Sequence, residues 1–166
     1  MHTNMSKIAG IYWDDTAAAP GISLSVYFSG CHFHCPGCHN PEAQSFEYGE
    51  DFTKEKIEEI LKKLNKNGVA RKLSILGGEP LCEENRKATC MLINVCREIY
   101  PDLKIYVWTG YTIEELFEEQ DSIIETILGN INCLVDGRYE QDKRDITLPL
   151  RGSSNQRVIY LNEKED

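Results

Sequence analysis

The sequence predicts an α/β fold: a mostly parallel sheet of about five or six strands, shaped as a partial (βα) barrel, with helices packed on the outside. Three observations predict it. Stretches of two-residue alternation take turns with stretches of helical periodicity. Glycines or short polar turns mark most of the changes. The stretches that could carry chemistry fall just after predicted strands. One domain is expected over residues 1–166. A chain near that size buries roughly 70% of its unfolded surface and needs no disulfides for a core.

Residues 7–12 (KIAGIY) read as the first strand. Residues 22–28 (ISLSVYF) alternate, with Ile22, Leu24, Val26 and Phe28 on one side and Ser23, Ser25 and Tyr27 on the other; Gly30 ends the strand. From Thr53 the period lengthens: Ile57, Ile60, Leu61 and Leu64 share a helical face, with a stop at Asn67-Gly68. Residues 72–76 form a short buried strand running into Gly77-Gly78-Glu79-Pro80. Ala88, Met91, Leu92, Val95, Cys96 and Ile99 form an apolar helical stripe that Tyr100-Pro101 closes. Residues 103–108 are another alternating strand. Thr112 with Glu115 fits a capping box, and Asp121 can cap a helix carrying Ile124, Ile127 and Leu128. Residues 131–135 and 157–161 supply the last strands. Ligands of such sheets lie beyond the carboxyl ends of the strands. Residues 31–40, 77–80, 109–111 and 136–138 all fall there.

Composition narrows the function classes. The net charge of −9 is a poor footprint for nucleic acid, which wants a basic stripe. It suits solubility, a small cationic ligand or a protein partner. No apolar run approaches the roughly 20 residues of a membrane span, and residues 1–7 carry no apolar signal region, so a cytoplasmic protein is expected. Seven cysteines, an odd number, with no export signal point to metal binding or chemistry rather than disulfides.

The cysteines concentrate in Cys31-His-Phe-His-Cys35-Pro-Gly-Cys38-His39-Asn40, spaced C-x3-C-x2-C. Thiolates at that spacing can converge on one small cluster. Iron–sulfur clusters usually take four cysteines, so three local ligands would leave one iron open to substrate. A zinc knot drawing on His32, His34 or His39 uses similar gaps and stays open on spacing alone. An electron carrier would want a fourth cysteine from Cys82, Cys90, Cys96 or Cys133. Cys96 and Cys133 read as core. Cys82 follows the glycine turn and can approach the site; it and Cys90 have no assigned role.

The C-x3-C-x2-C motif after a long first strand resembles the signature of the radical S-adenosylmethionine superfamily. Gly77-Gly78-Glu79-Pro80 resembles that family's GGEP motif, although such a tetrapeptide alone is also a common strand-to-helix turn. The resemblance implies a [4Fe-4S] cluster on Cys31, Cys35 and Cys38. It implies S-adenosyl-L-methionine, chelated to the open iron by its amino and carboxylate groups. Gly37, Cys38, His39, Gly77, Gly78 and Glu79 become its expected contacts, with no catalytic side chain beyond these ligands. In the family, one-electron reduction of the sulfonium breaks the C5′–S bond and yields a 5′-deoxyadenosyl radical. The chain departs from many members by placing Gly37, not an aromatic residue, before the third cysteine. Backbone at residues 37–39, or the rings of Phe33 or His39, can serve the adenine instead.

The sequence C-x3-C-P-G-C-H-N resembles the branch that activates anaerobic ribonucleotide reductases. Residues 107–111 (VWTGY), 134–140 (LVDGRYE) and 151–157 (RGSSNQR) resemble later segments of the same branch. The likeness implies an anaerobic ribonucleoside-triphosphate reductase as protein substrate, a glycyl radical as product, and reduced flavodoxin or a similar electron donor. Arg138, Arg144, Arg151 and Arg157 are expected either to receive the partner's glycyl loop or to pair with surface carboxylates. Asp136 is expected as a turn residue or a functional one. His32 and His34 are either partners of the cluster sulfurs or solvated loop residues. Two other readings are another small radical enzyme, acting on a different glycyl-radical protein or a small molecule such as a pterin, and a zinc or iron–sulfur binding module.

Overall fold

The computed structural model describes residues 5–162; residues 1–4 of the segment read for a signal lie outside them. Seven strands form one sheet: β1 (Lys7–Asp15), β2 (Ser23–Phe28), β3 (Glu50–Asp51), β4 (Lys72–Gly77), β5 (Ile105–Trp108), β6 (Cys133–Asp136) and β7 (Arg157–Tyr160). Their spatial order is β3-β1-β2-β4-β5-β6-β7. The central strands β2, β4, β5 and β6 are parallel. Antiparallel strands flank them: β1 with β3 at one side and β7 at the other. The strand missed by the sequence reading is β3, a dipeptide too short to show an alternation.

Helices α1 (Lys54–Leu64), α2 (Arg86–Ile99), α3 (Ile113–Glu118) and α4 (Ser122–Asn130) occupy the connections. Their starts follow local chemistry. The Thr53 hydroxyl accepts from the Lys56 N–H. Thr112 and Glu115 complete a reciprocal capping box. Asp121 accepts from the Ile123 and Ile124 N–H groups at 2.7 and 3.3 Å. Arg71 closes the other end of α1: its Nη1 donates to the carbonyls of Lys63, Lys66 and Val69 while its Nε donates to Asp14.

One face of the sheet carries Leu24, Val26, Phe28, Leu73, Ile75, Ile105, Val107 and Leu134 into a core shared with Ile60, Leu92, Ile93, Cys96, Ile124 and Ile127. The alternation read in β2 holds for Leu24, Val26 and Phe28, but Ser23 and Ser25 on its other side are also fully buried. Covering both faces of an interior parallel strand is the reason. The serines satisfy their hydroxyls: Ser23 with Ser74 at 2.5 Å and Ser25 with Asp15 at 2.7 Å. Ile22 falls outside the strand and is exposed.

The stripe expected on α2 is rotated. Thr89, Leu92, Ile93 and Cys96 are buried, whereas Met91 and Ile99 are more than half exposed. The helix is apolar around much of its circumference, so periodicity fixed its type but not its inward side. Ile93→Ala should therefore cost about 2–5 kcal/mol in urea unfolding. Met91→Ala should stay within about 0.5 kcal/mol of wild type. The reverse ranking would contradict this packing.

Candidate functional site

Parallel pairing sets the ends of the central strands at one edge of the sheet. Phe28 is in register with Gly77 and Trp108 with Val135. The loops leaving those ends surround a cavity of about 490 Å³, within the range of small-ligand sites. Cys31, Cys35, Cys38 and His39 line it from the first loop; Gly77, Gly78 and Glu79 from the second; Trp108, Thr109 and Gly110 from the third. Gly137 and Tyr139, then residues 148–152 and Gln156, complete the wall where the chain returns to β7.

The cysteine loop is seated by backbone bonds. The Gly30 and Cys31 N–H groups donate to the Ala43 and Gln44 carbonyls, and the Cys38 N–H donates to the Cys35 carbonyl at 3.1 Å. All three thiols are partly exposed, and none is in a disulfide. Burial raises Cys31 to about 11 and also raises Cys35. The other four cysteines do not line the cavity. Cys82 is buried and donates to the Glu79 carbonyl at 3.2 Å. Cys96 and Cys133 are fully buried, as their sequence positions suggested.

Among the described residues no three or more His, Cys, Asp or Glu side chains are gathered to hold a single metal ion. A cluster asks for something else: each thiolate takes its own iron, so the sulfurs stand apart around a shared volume. Three thiols on one cavity wall, with no fourth cysteine beside them, match that donor set. Two of the three histidines a zinc knot would draw on, His32 and His34, are hydrogen-bonded to other side chains. His32 Nε2 lies 2.8 Å from Glu84, and His34 Nδ1 lies 3.0 Å from Gln44. His39 lines the cavity and packs on Tyr139, ring centroids 4.9 Å apart.

The glycine turn is dictated first by packing. Gly77 has φ +118°, and a Cβ there would strike the backbone of Phe28; at Gly78 it would come within 2.6 Å of the Gly30 carbonyl. Glu79 is 1% exposed. Its carboxylate accepts from the Leu81 N–H at 2.9 Å, the Thr109 hydroxyl at 2.8 Å and the Gly110 N–H at 2.6 Å. Burial lifts its pKa to about 7 from an ordinary 4.5, against the opposing pull of those donors. Gly37, expected as a cofactor contact, is not among the lining residues. Its φ of +76° turns the backbone, and its Cα faces the Gln141 side chain.

Other expected residues prove to be stitching. Asp136 is 1% exposed and does not line the cavity. It accepts from Arg157 Nε at 3.0 Å and Nη2 at 2.6 Å, and from the Ile113 N–H that opens α3 at 2.9 Å. Arg157 also grips Glu114. Arg138 pairs with Glu115 at 3.1 Å and lies 4.4 Å over the Phe33 ring. Of the four arginines, Arg157 and Arg138 are paired, Arg144 is exposed, and Arg151 lines the cavity. The sequence reading had no signal for the Phe33–Tyr111 contact at 4.8 Å or the Trp108 Nε1 bond to the Leu150 carbonyl at 2.7 Å. The amide-rich run at 151–157 was the available clue: Gln156 accepts from the Gly152 and Ser153 N–H groups and donates to the Gly137 carbonyl.

Residues 17–159 match a family model described as a 4Fe-4S single cluster domain. The chain is 37% identical over 148 residues to an anaerobic ribonucleoside-triphosphate reductase-activating protein of Escherichia coli K12, covering 89% of this chain and 94% of that one. The protein of the same name from Pasteurella multocida is 36% identical over 150 residues (90% and 93%). That of phage T4 is 30% identical over 148 residues (89% and 90%).

Two outcomes test the geometry. The native state holds the Glu79 proton between about 4.5 and about 7, where the unfolded chain has released it. Stability therefore falls as pH rises through that window, by up to about 3 kcal/mol. Urea unfolding across the range should show the fall, and Glu79→Gln should flatten it. Separately, Arg157→Ala leaves the buried Asp136 with its N–H donor alone and should cost about 1–3 kcal/mol; an unchanged unfolding midpoint would contradict the stitch.

Proposed function

This chain belongs to the family of anaerobic ribonucleoside-triphosphate reductase-activating proteins, which carry a 4Fe-4S single cluster domain, and from that premise we propose how its residues generate a glycyl radical on such a reductase. When bound, the [4Fe-4S] cluster supplies one electron to S-adenosyl-L-methionine, whose cleavage yields the radical that takes hydrogen from the partner's glycine.

Cys31, Cys35 and Cys38 hold the cluster as thiolates, each losing its proton to metal ligation. Three cysteine ligands, one short of the usual four, would leave the cluster an open position for substrate. Gly77 and Gly78 keep the strand-end backbone bare beside that position. Glu79 adds a buried carboxylate suited to an ammonium neighbour, while its three donors hold the loops from β4 and β5 against each other. Cys38 and His39 line the cofactor's volume, and Gly37 contributes the sharp turn that aims them. The observation that carries the reading is the placement of three thiols and the Gly77–Glu79 turn on the wall of one cavity.

The same reading takes residues 1–166 as one domain with the curvature of a partial (βα) barrel, acting in the cytoplasm. Its electron donor is reduced flavodoxin or a similar low-potential protein. No role with nucleic acid or membrane is assigned, and no described helix is long and apolar enough to cross a bilayer.

Anaerobically reconstituted protein should carry about four irons and absorb broadly in the visible, as thiolate-bound clusters do. Mixed with its reductase, cofactor and a reductant, it should give a glycyl doublet by electron paramagnetic resonance. Cys35→Ala should lose the iron and the doublet, whereas Cys96→Ala should keep the iron and lose only packing. A colourless zinc protein, or cofactor cleavage by the Cys35 variant, would refute the reading.

A further inference from the structure

Two adjacent residues past β6 touch the cysteine loop at two points. The Arg138 guanidinium carbon lies 4.4 Å over the ring of Phe33, between Cys31 and Cys35. The Tyr139 ring packs on His39, next to Cys38, with centroids 4.9 Å apart. Missing side chains on other loops make room for both contacts. A Cβ on Gly110 would come within 2.6 Å of the Phe33 ring, and one on Gly152 within 3.3 Å of both His39 and Tyr139. The Tyr139 hydroxyl donates to Gln141 Oε1 at 2.7 Å, the atom that a Cβ on Gly37 would strike. Burial raises the Cys35 pKa, and the Tyr139 backbone N–H and the Arg138 charge pull against it, so both residues act on the sulfur between those two rings as well.

The dipeptide is itself held in place. The Gly137 N–H donates to the Tyr111 carbonyl at 3.0 Å, Asn155 Nδ2 donates to the Arg138 carbonyl at 2.7 Å, and Arg138 Nη1 donates to Glu115 of α3 at 3.1 Å. The cysteine loop is seated differently at its two ends. Backbone bonds to Ala43 and Gln44 fix Gly30 and Cys31, whereas the Cys38 N–H bonds within the loop, to Cys35. A loop that must present three sulfurs in one arrangement loses conformational freedom in doing so. Neighbours that order a ligand set in advance make it hold metal more firmly. We infer that Arg138 and Tyr139 clamp the cysteine loop through Phe33 and His39, and so hold its three thiols in ligating order as positioning residues, not as ligands. The inference rests on the function proposed above, which gives the loop its cluster.

Release of iron from anaerobically reconstituted protein into an excess of a coloured ferrous chelator tests it, with starting iron content and thermal midpoint measured alongside. Arg138→Ala and Tyr139→Ala should each speed release by about threefold to tenfold, the size of one lost ring contact. Tyr139→Phe keeps the ring on His39 and should stay within about twofold of wild type. Phe33→Leu should match Arg138→Ala, and the two together should add little, because each removes the same contact. Ile93→Ala loosens the core outside the cavity wall; it should lower the thermal midpoint and leave release within about twofold. If Tyr139→Ala does not fold, Arg138→Ala and Phe33→Leu carry the comparison. Wild-type release rates in the Arg138 and Phe33 variants would overturn the clamp. So would equal acceleration by Ile93→Ala, which would make release a matter of global opening. Wild-type protein that takes up no iron would instead refute the functional reading itself, and the clamp with it.

Discussion

The buried carboxylate of Glu79 organises the site. It follows directly on β4, accepts from the first residues leading into α2, and accepts again from Thr109 and Gly110 after β5. Two strand-end loops that pairing alone would only bring near each other are thereby locked in one arrangement. Burial opposes the charge strongly enough to bring its pKa to about 7. Only a full set of donors makes such a group tolerable inside a protein. Asn85 adds to the lock, donating to the Glu79 and Ser29 carbonyls and so tying the start of α2 to the end of β2.

A second tie closes the far side. Asp136 at the end of β6 is held by Arg157 from β7 and by the first N–H of α3. Gln156 then folds residues 152–156 back onto Gly137. These interactions involve residues that looked chemical in the sequence, yet their work is to shape the wall behind the cavity. Arg138 and Arg157 are both paired with acids on α3, and Arg157 reaches the buried Asp136 as well.

Between the two ties lies a volume lined by three thiols on one side and Arg151 on another. The thiols are unpaired and partly exposed, whereas the remaining cysteines are kept out of the cavity by core packing or by distance along α2. The cysteine loop leaves one strand end, and the loops after β5 and β6 line the same cavity from the other side. Phe33, wedged between Tyr111 and Arg138, packs those loops onto the cysteine loop.

The sequence by itself determined the features that depend on near neighbours. The C-x3-C-x2-C spacing, the Thr53, Thr112 and Asp121 caps, the Gly77–Gly78 turn and the order of strands and helices are all local, and each was legible from periodicity or side-chain chemistry within a few residues. Tertiary structure alone decided what depends on distant partners. Ser23 and Ser25 are buried with partners on other strands, Ser23 on Ser74 of β4 and Ser25 on Asp15 of β1, which the alternation of β2 could not show. The inward face of α2 was chosen by the sheet, not by its own apolar pattern. Gly37 became a turn rather than a cavity residue because Gln141 packs against it. Arg157 was committed to Asp136 while Arg151 lines the cavity, a difference between two arginines of one heptapeptide that only long-range contacts could make, since charge has no periodicity from which its partner can be read.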